Sequence, residues 1–191
     1  MATQLVLING YPGAGKSTLA RELAPEIGAT WLSKDRIKEA LADAVGVDTL
    51  PTRRLGAVTG ETIWLLAAEV AGLVLVETVA NPTRDRGHFE RGLEIAGVDQ
   101  FVEVWCDVPA DLAWERYLAR ARHRVHPQGP ESRDGWWELA EQMEPMGLGP
   151  LIRVDTTGPV SVAAVADELR TVLDTGIDSL QGNRADASRI G

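Results

Sequence analysis

The sequence predicts an α/β protein: a five-stranded parallel sheet with helices on both faces. Three observations carry this. Apolar runs of strand length recur along the chain, stretches of helical length separate them, and a glycine-rich segment follows directly on the first run. Continuous apolar runs mark strands buried on both faces, and they occur at LVLIN (5–9), GLVLVET (72–78), FVEVWCD (101–107) and LIRVD (151–155), with a weaker run ATWLS (29–33). Between them lie GKSTLARELAPEIG (15–28), KDRIKEALADAVG (34–46), LGAVTGETIWLLAAEVAG (55–72), TRDRGHFERGLEIAG (83–97), PADLAWERYLARARH (109–123) and SVAAVADELRTVLDTG (161–176). Several stop at glycine, as helix C-termini do. In the first, Leu19, Leu23 and Ile27 fall four apart and form one stripe for the core, and Pro25 should kink the last turn.

At 191 residues, 45% of them hydrophobic, the chain can bury one good core, so a single domain is expected over residues 1–176. The tail from 177 to 191 is polar and should fray, and the stretch from 122 to 135 has no periodicity and reads as a mobile loop. A net charge of -9 argues against a broad face for duplex nucleic acid. The lone Cys106 excludes an internal disulfide, and no leader pattern or membrane-length apolar run occurs, so a soluble cytoplasmic protein is expected. A monomer and a homodimer fit equally.

Gly10 to Ser17 reads GYPGAGKS, which fits G-x-x-x-x-G-K-[ST] in its required setting, after a buried strand and before an amphipathic helix. Glycines let consecutive N–H groups turn inward on a phosphate chain, and the helix beginning near Gly15 adds its positive end. Gly10, Gly13, Ala14, Gly15, Lys16, Ser17 and Thr18 should therefore cradle the phosphates of ATP. Lys16 reaches the β- and γ-phosphates, and the Ser17 hydroxyl ligates Mg²⁺.

The next informative stretch is WLSKDRIKEAL, Trp31 to Leu41. Asp35 stands where the second strand gives way to a helix, so its carboxylate emerges at the carboxyl edge of the sheet, where such folds place their sites. It can take a proton from an attacking hydroxyl; as a bland alternative, Ser33 or Asp35 simply caps the helix.

GYPGAGKSTLARELA followed by WLSKDRIKEAL resembles the opening of small P-loop kinases of the AAA-domain group, which is similar to chloramphenicol phosphotransferase, zeta toxins and polynucleotide 5′-kinase domains. The resemblance implies a P-loop fold with strand order 2-3-1-4-5 and a small arginine-rich lid, here near 122–135. It also implies Asp35 as the catalytic base. Polynucleotide kinases carry an arginine three residues beyond that aspartate, where this chain has Lys38.

WERYLARARHRVHPQ (114–128) places Arg116 and Arg120 four apart on one helical face, with Arg122 and Arg124 beyond. This cluster resembles the lid of nucleoside-monophosphate kinases. The resemblance gives Arg116 a place beside the base and Arg120 a place on the transferring phosphoryl group, with Arg124 as the alternate. Glu77 closes the third strand where an acid could hold Mg²⁺. Asp107 closes the fourth and should cap the helix that follows. Asp155 to Pro159, with Thr157 at its centre, resembles the family's adenine-contacting turn. Trp136 and Trp137 could stack on a flat acceptor, Trp31 and Trp64 belong in the core, and Arg53 and Arg54 could meet an anionic group. His88, His123 and His126 lack the spacing of a metal site, so no metal beyond Mg²⁺ is expected.

The expectation is an ATP-dependent phosphotransferase acting on a hydroxyl of a metabolite or antibiotic, with Lys16, Asp35 and Arg120 as catalytic residues. Two alternatives remain at this point. One is a polynucleotide 5′-hydroxyl kinase; the other is a nucleotide-gated switch or ATPase, against which the missing N-K-x-D signature counts only for GTP.

Overall fold

The computed structural model describes residues 2–126 and 133–187, with side chains from 4 to 126 and 133 to 175. Its strands are β1 (Ala2–Asn9), β2 (Thr30–Ser33), β3 (Gly72–Glu77), β4 (Gln100–Asp107) and β5 (Leu151–Asp155). They form one sheet in the order β2-β3-β1-β4-β5, every neighbouring pair parallel. The helices are α1 (Lys16–Glu26), α2 (Lys34–Val45), α3 (Thr52–Glu69), α4 (Pro82–Ala96), α5 (Ala110–Ala119), α6 (Arg133–Gln142) and α7 (Val162–Ala187).

Side chains alternate across the sheet because successive residues of a strand face opposite ways. Val6 and Ile8 of β1 point into a core with Leu19 and Leu23 of α1, Ala113 and Tyr117 of α5, and Leu169 of α7. Leu5 and Leu7 point the other way, to Ile63 and Trp64 of α3 and Phe89 of α4. Trp64 is therefore core, as its setting suggested, and α4 approaches closely enough that a Cβ on Gly92 would meet the Trp64 ring at 2.1 Å. Trp31 packs against the first core only partly buried. Pro25 sits within the last turn of α1, which ends one residue later.

Three elements differ from the sequence reading. α5 stops at Ala119, and Arg120, at its C-cap, is extended (φ -96°, ψ 138°). The chain leaves the helix there because the following residues are drawn onto α2 and α3: Val125 is buried with Ala42 and Leu55, and His126 pairs with Glu39 at 2.9 Å. α6 begins within the stretch read as a loop. The expected lid segment 122–135 also contains residues 127–132, which lie outside the described residues. Finally, the backbone of α7 continues to Ala187, into the segment read as a fraying tail.

The parallel register aligns Ile8 with Glu77 and Ser33 with Glu77. The ends of β1, β2 and β3 thus open on one rim, where the loops carrying chemistry meet.

Candidate active site

Asn9 ends β1, and its side chain is fully used. Oδ1 accepts from the N–H of Gly10 at 2.8 Å and of Ala80 at 2.9 Å, while Nδ2 donates to Ala80 O and to Glu103 Oε1. Glu103 also accepts from Met146 N, and burial raises its pKa. This buried lattice fixes where the glycine-rich loop leaves the sheet. Sequence reading passed over it, although a charged residue inside an apolar strand is itself a signal.

The loop then follows from its glycines. Gly13 has φ +93°, and a Cβ there would lie 2.0 Å from Ala113 O, so only glycine lets the loop rest on α5. Gly15 has φ +86° and forms the N-cap of α1. The N–H groups of Thr18 and Leu19 both close on Gly15 O at 3.0 Å, while those of Lys16 and Ser17, at the start of the helix, precede the first carbonyl that α1 could offer them. Lys16 folds back over the loop, its Nζ donating to Gly10 O at 2.9 Å and Tyr11 O at 2.6 Å. Burial lowers its pKa, and Glu77 partly offsets this. An incoming phosphate would find an ammonium already desolvated and aimed.

Ser17 Oγ donates to Glu77 Oε1 at 2.7 Å. Glu77 is 4% exposed, and its Oε2 is buried with no hydrogen-bond partner. A hydroxyl beside a carboxylate with one oxygen left over suits a hard divalent cation such as Mg²⁺. Among the described residues no group of three His, Cys, Asp or Glu could hold a metal, so these two would share the ion with phosphate oxygens and water.

Asp35 lies in the first turn of α2, after Ser33 at the N-cap, whose side chain makes no capping bond. Asp35 lines the same cleft as Lys16, Ser17 and Glu77. Arg120 and Arg122 each bring a terminal nitrogen within 3.9 Å of its Oδ2. Arg120 therefore reaches the site from an extended segment, not from a helical face shared with Arg116. Arg122, two residues on, accompanies Arg120 at that carboxylate. Arg122 stacks 4.6 Å over the Tyr117 ring, and its Nε is buried without a partner. Arg124, the expected alternate, lies exposed in a turn away from the cleft wall.

Arg116 donates to Thr156 O and Thr157 O, both at 2.8 Å, tying α5 to the turn after β5. Within that turn Thr157 N and Oγ1 both bond Asp155 Oδ1, which lowers the pKa of that carboxylate. Thr156 bonds Asp107 O through N and Oγ1. Asp107 does not cap α5; Pro109 holds that position, and the Asp107 carboxylate instead meets Arg153 at 3.2 Å. Trp136 is also corrected. It is 4% exposed, packs on Tyr11 and Trp114, and donates from Nε1 to Pro12 O at 3.3 Å, so it braces the loop. Its ring is a wall, not a free stacking platform.

Lys16, Ser17, Asp35, Glu77, Arg120, Arg122 and Trp136 line one open cleft of about 1310 Å³, with Thr156, Gly158 and Arg116 at one end and Lys34, Arg53, Arg84 and His88 at the other. That exceeds the usual volume for one small ligand and leaves room for a nucleotide and a second molecule. Arg53 reaches it; Arg54 is not among the lining residues.

The model of a family described as an AAA domain matches residues 5–135. The chain belongs to this AAA-domain family. Its fold is that of P-loop kinases. A Chloroflexus aurantiacus protein inferred to be a kinase, solved at 1.70 Å, is 27% identical, with TM-score 0.77 over 88% of this AAA-domain chain and 97% of its own. The Mycobacterium tuberculosis APS kinase, solved with AMPPNP and APS, is 21% identical, with TM-score 0.57 over 90% and 97% of the two chains. A cytidylate kinase of Ignicoccus hospitalis is 44% identical over 46 residues, 24% of this chain. The match spans about a quarter, 27%, of that kinase's length. Among the described residues no helix is long and apolar enough to cross a membrane.

Proposed function

We propose that this protein, acting through a single domain over residues 1–176, is a cytoplasmic Mg²⁺- and ATP-dependent kinase that phosphorylates a hydroxyl of a small molecule. The observation that carries the reading is that Asp35 opens onto the same cleft as Lys16, Ser17 and Glu77. A phosphate loop alone would serve a switch or a motor equally well. A half-exposed carboxylate on the same rim, with two guanidinium groups beside it, supplies what transfer requires.

The nucleotide would lie with its base by the Thr156 turn and its phosphates along the loop. Arg116 holds that turn through the carbonyls of Thr156 and Thr157, leaving the base to be contacted mainly by backbone groups. The acceptor hydroxyl oxygen forms the new bond to the γ-phosphorus as the β,γ-bridging bond breaks and its electrons leave with ADP. Asp35 takes the hydroxyl proton and passes it to water. Lys16 and Arg120 offset charge on the transferring group, where fixed cations act without reorganisation. Mg²⁺, held by Ser17 and Glu77, would neutralise phosphate charge. Kinase relatives support the reaction class, and the APS kinase that was solved with both AMPPNP and APS supports a cleft built for two substrates.

The test is a screen of hydroxylated metabolites and antibiotics with enzyme and Mg-ATP, read by mass spectrometry. The reading expects one compound class to gain a single phosphoryl group, abolished in Lys16→Ala. Phosphate release without any esterified product would refute it.

A further inference from the structure

Of the chain's nineteen basic residues only three are lysines, and all three, Lys16, Lys34 and Lys38, line the cleft. Eight of the nineteen Lys and Arg line it, against five of the twenty-eight Asp and Glu. A protein of net charge -9 thus builds a positive interior at its site. The phosphate loop accounts for Lys16 and the arginines near Asp35 for the transferring group. Lys34 and Lys38, which flank Asp35 on α2, have no part in either.

They stand four apart on α2, and Asp35, three positions before Lys38, lines the same cleft. Lys38 Nζ donates to Thr52 Oγ1 at 2.7 Å. Lys34 makes no hydrogen bond among the described residues, although burial holds its pKa below the ordinary value. The acids across the cleft are already committed. Asp85 accepts from Arg84 Nε and Nη2, each at 2.7 Å, and from the Asn81 N–H, and Glu61 meets Arg91 and His88. Lys34 is half-buried and lines the open cleft, its ammonium near the Asp85 and Asp35 charges but without a hydrogen-bond acceptor among the described residues. An oxyanion arriving from solution would supply that acceptor. Lys38 stands one helical turn from both Lys34 and Asp35, and residues so spaced sit about 5–6 Å from each other at Cβ, so a hydroxyl at Asp35 and an anionic group at Lys34 and Lys38 fit on one small molecule.

We propose that Lys34 and Lys38, with Arg53 at the rim, form a subsite for an oxyanion, so that the phosphoryl acceptor is a small alcohol bearing a carboxylate or a phosphate. The word acceptor rests on the kinase reading; the anion subsite does not.

The scarcity of lysine supplies the assay. Reductive methylation with ¹³C-formaldehyde retains the charge and labels three lysine side chains and the α-amine, which Lys34→Arg and Lys38→Arg assign. With Mg-AMPPNP bound, three probe sets are titrated: glycerate and gluconate, glycerol 3-phosphate and glucose 6-phosphate, and glycerol and glucose. The subsite predicts saturable shifts of the Lys34 and Lys38 signals with one anionic set, which identifies the oxyanion, and none with the uncharged set. No shift with either anionic set, or equal shifts with the uncharged one, overturns it. The same probes are then offered with Mg-ATP. An esterified anion whose KM rises at least tenfold in Lys34→Met, with KM for ATP unchanged, completes the case. Anion binding without ester formation by any probe would defeat the kinase reading while leaving the subsite. Esters of the uncharged probes alone would do the reverse.

Discussion

Replacing Asp35 by asparagine separates catalysis from binding and from folding. The side chain keeps its shape and loses its basicity. Asp35 is about half exposed, and its two guanidinium neighbours stand at 3.9 Å. Such exposed pairs contribute at most about 1 kcal/mol each, and the favourable charge in the first turn of α2 adds about 0.3–1 kcal/mol. Loss of stability should therefore stay within about 3 kcal/mol. Removing a general base costs about 10²- to 10⁴-fold in rate, which is about 2.7–5.4 kcal/mol in the barrier at 1.36 kcal/mol per decade. The assay pairs kcat, measured with the acceptor saturating, with nucleotide affinity from calorimetry. The expected result is a kcat lowered by two to four decades with ATP affinity changed less than threefold. A kcat within threefold of the parent would refute the base assignment, and a parallel collapse of ATP affinity would mean that the residue shapes the nucleotide site.

Three further outcomes follow from single features. Gly13→Ala places a Cβ 2.0 Å from Ala113 O at φ +93°; left-handed strain of about 1–2 kcal/mol and overpacking of about 1–3 kcal/mol add to a loss of roughly 2–5 kcal/mol, read by denaturant unfolding, with ATP affinity falling as the loop is pushed off α5. Glu77→Gln keeps an acceptor for Ser17 but removes the charge; the Mg²⁺ concentration for half-maximal turnover should rise at least about tenfold, and removal of Mg²⁺ with EDTA should abolish turnover in the parent. Burial pushes the Cys106 thiol up from its ordinary 9.0 to about 12. The folded protein should accordingly resist iodoacetamide at pH 8 and react once unfolded, as mass spectrometry of the alkylated chain would report. Because only the unfolded thiol ionises between these values, stability should fall as pH rises above about 9 through this group, and below that pH Cys106 should leave stability unchanged.

The sheet was legible because its strands are short apolar runs whose meaning depends little on context, and all five formed where the pattern put them. The glycine-rich loop was legible for a different reason: its geometry is set by residues adjacent in sequence, so Gly13 and Gly15 take positive φ and α1 starts at Lys16 where the pattern puts them. Asp35 and Glu77 needed only the rule that strands end on one rim. What escaped reading depends on contacts distant in sequence. The helical period through 116 and 120 continued on paper past Ala119, but the packing of Val125 against Ala42 and Leu55 ends α5 and delivers Arg122, not Arg124, to the cleft. Trp136 was read as a ring that could stack on a flat acceptor because nothing local reveals that Pro12 O, more than a hundred residues earlier, is its partner. Asn9 and Glu103 lie ninety-four positions apart, and their bond exists only once β1 and β4 pair. Lys34 and Lys38 were visible as residues, yet their purpose emerges only when α4 brings Arg84 and Asp85 across from them.

The central claim, transfer to an alcohol as opposed to hydrolysis or switching, is met most directly by product stoichiometry. With an acceptor from the screen, ADP, phosphate ester and free phosphate are counted together by ³¹P NMR during turnover. The account predicts one ester for each ADP and almost no free phosphate. Free phosphate equal to ADP, with the acceptor unchanged, would contradict it.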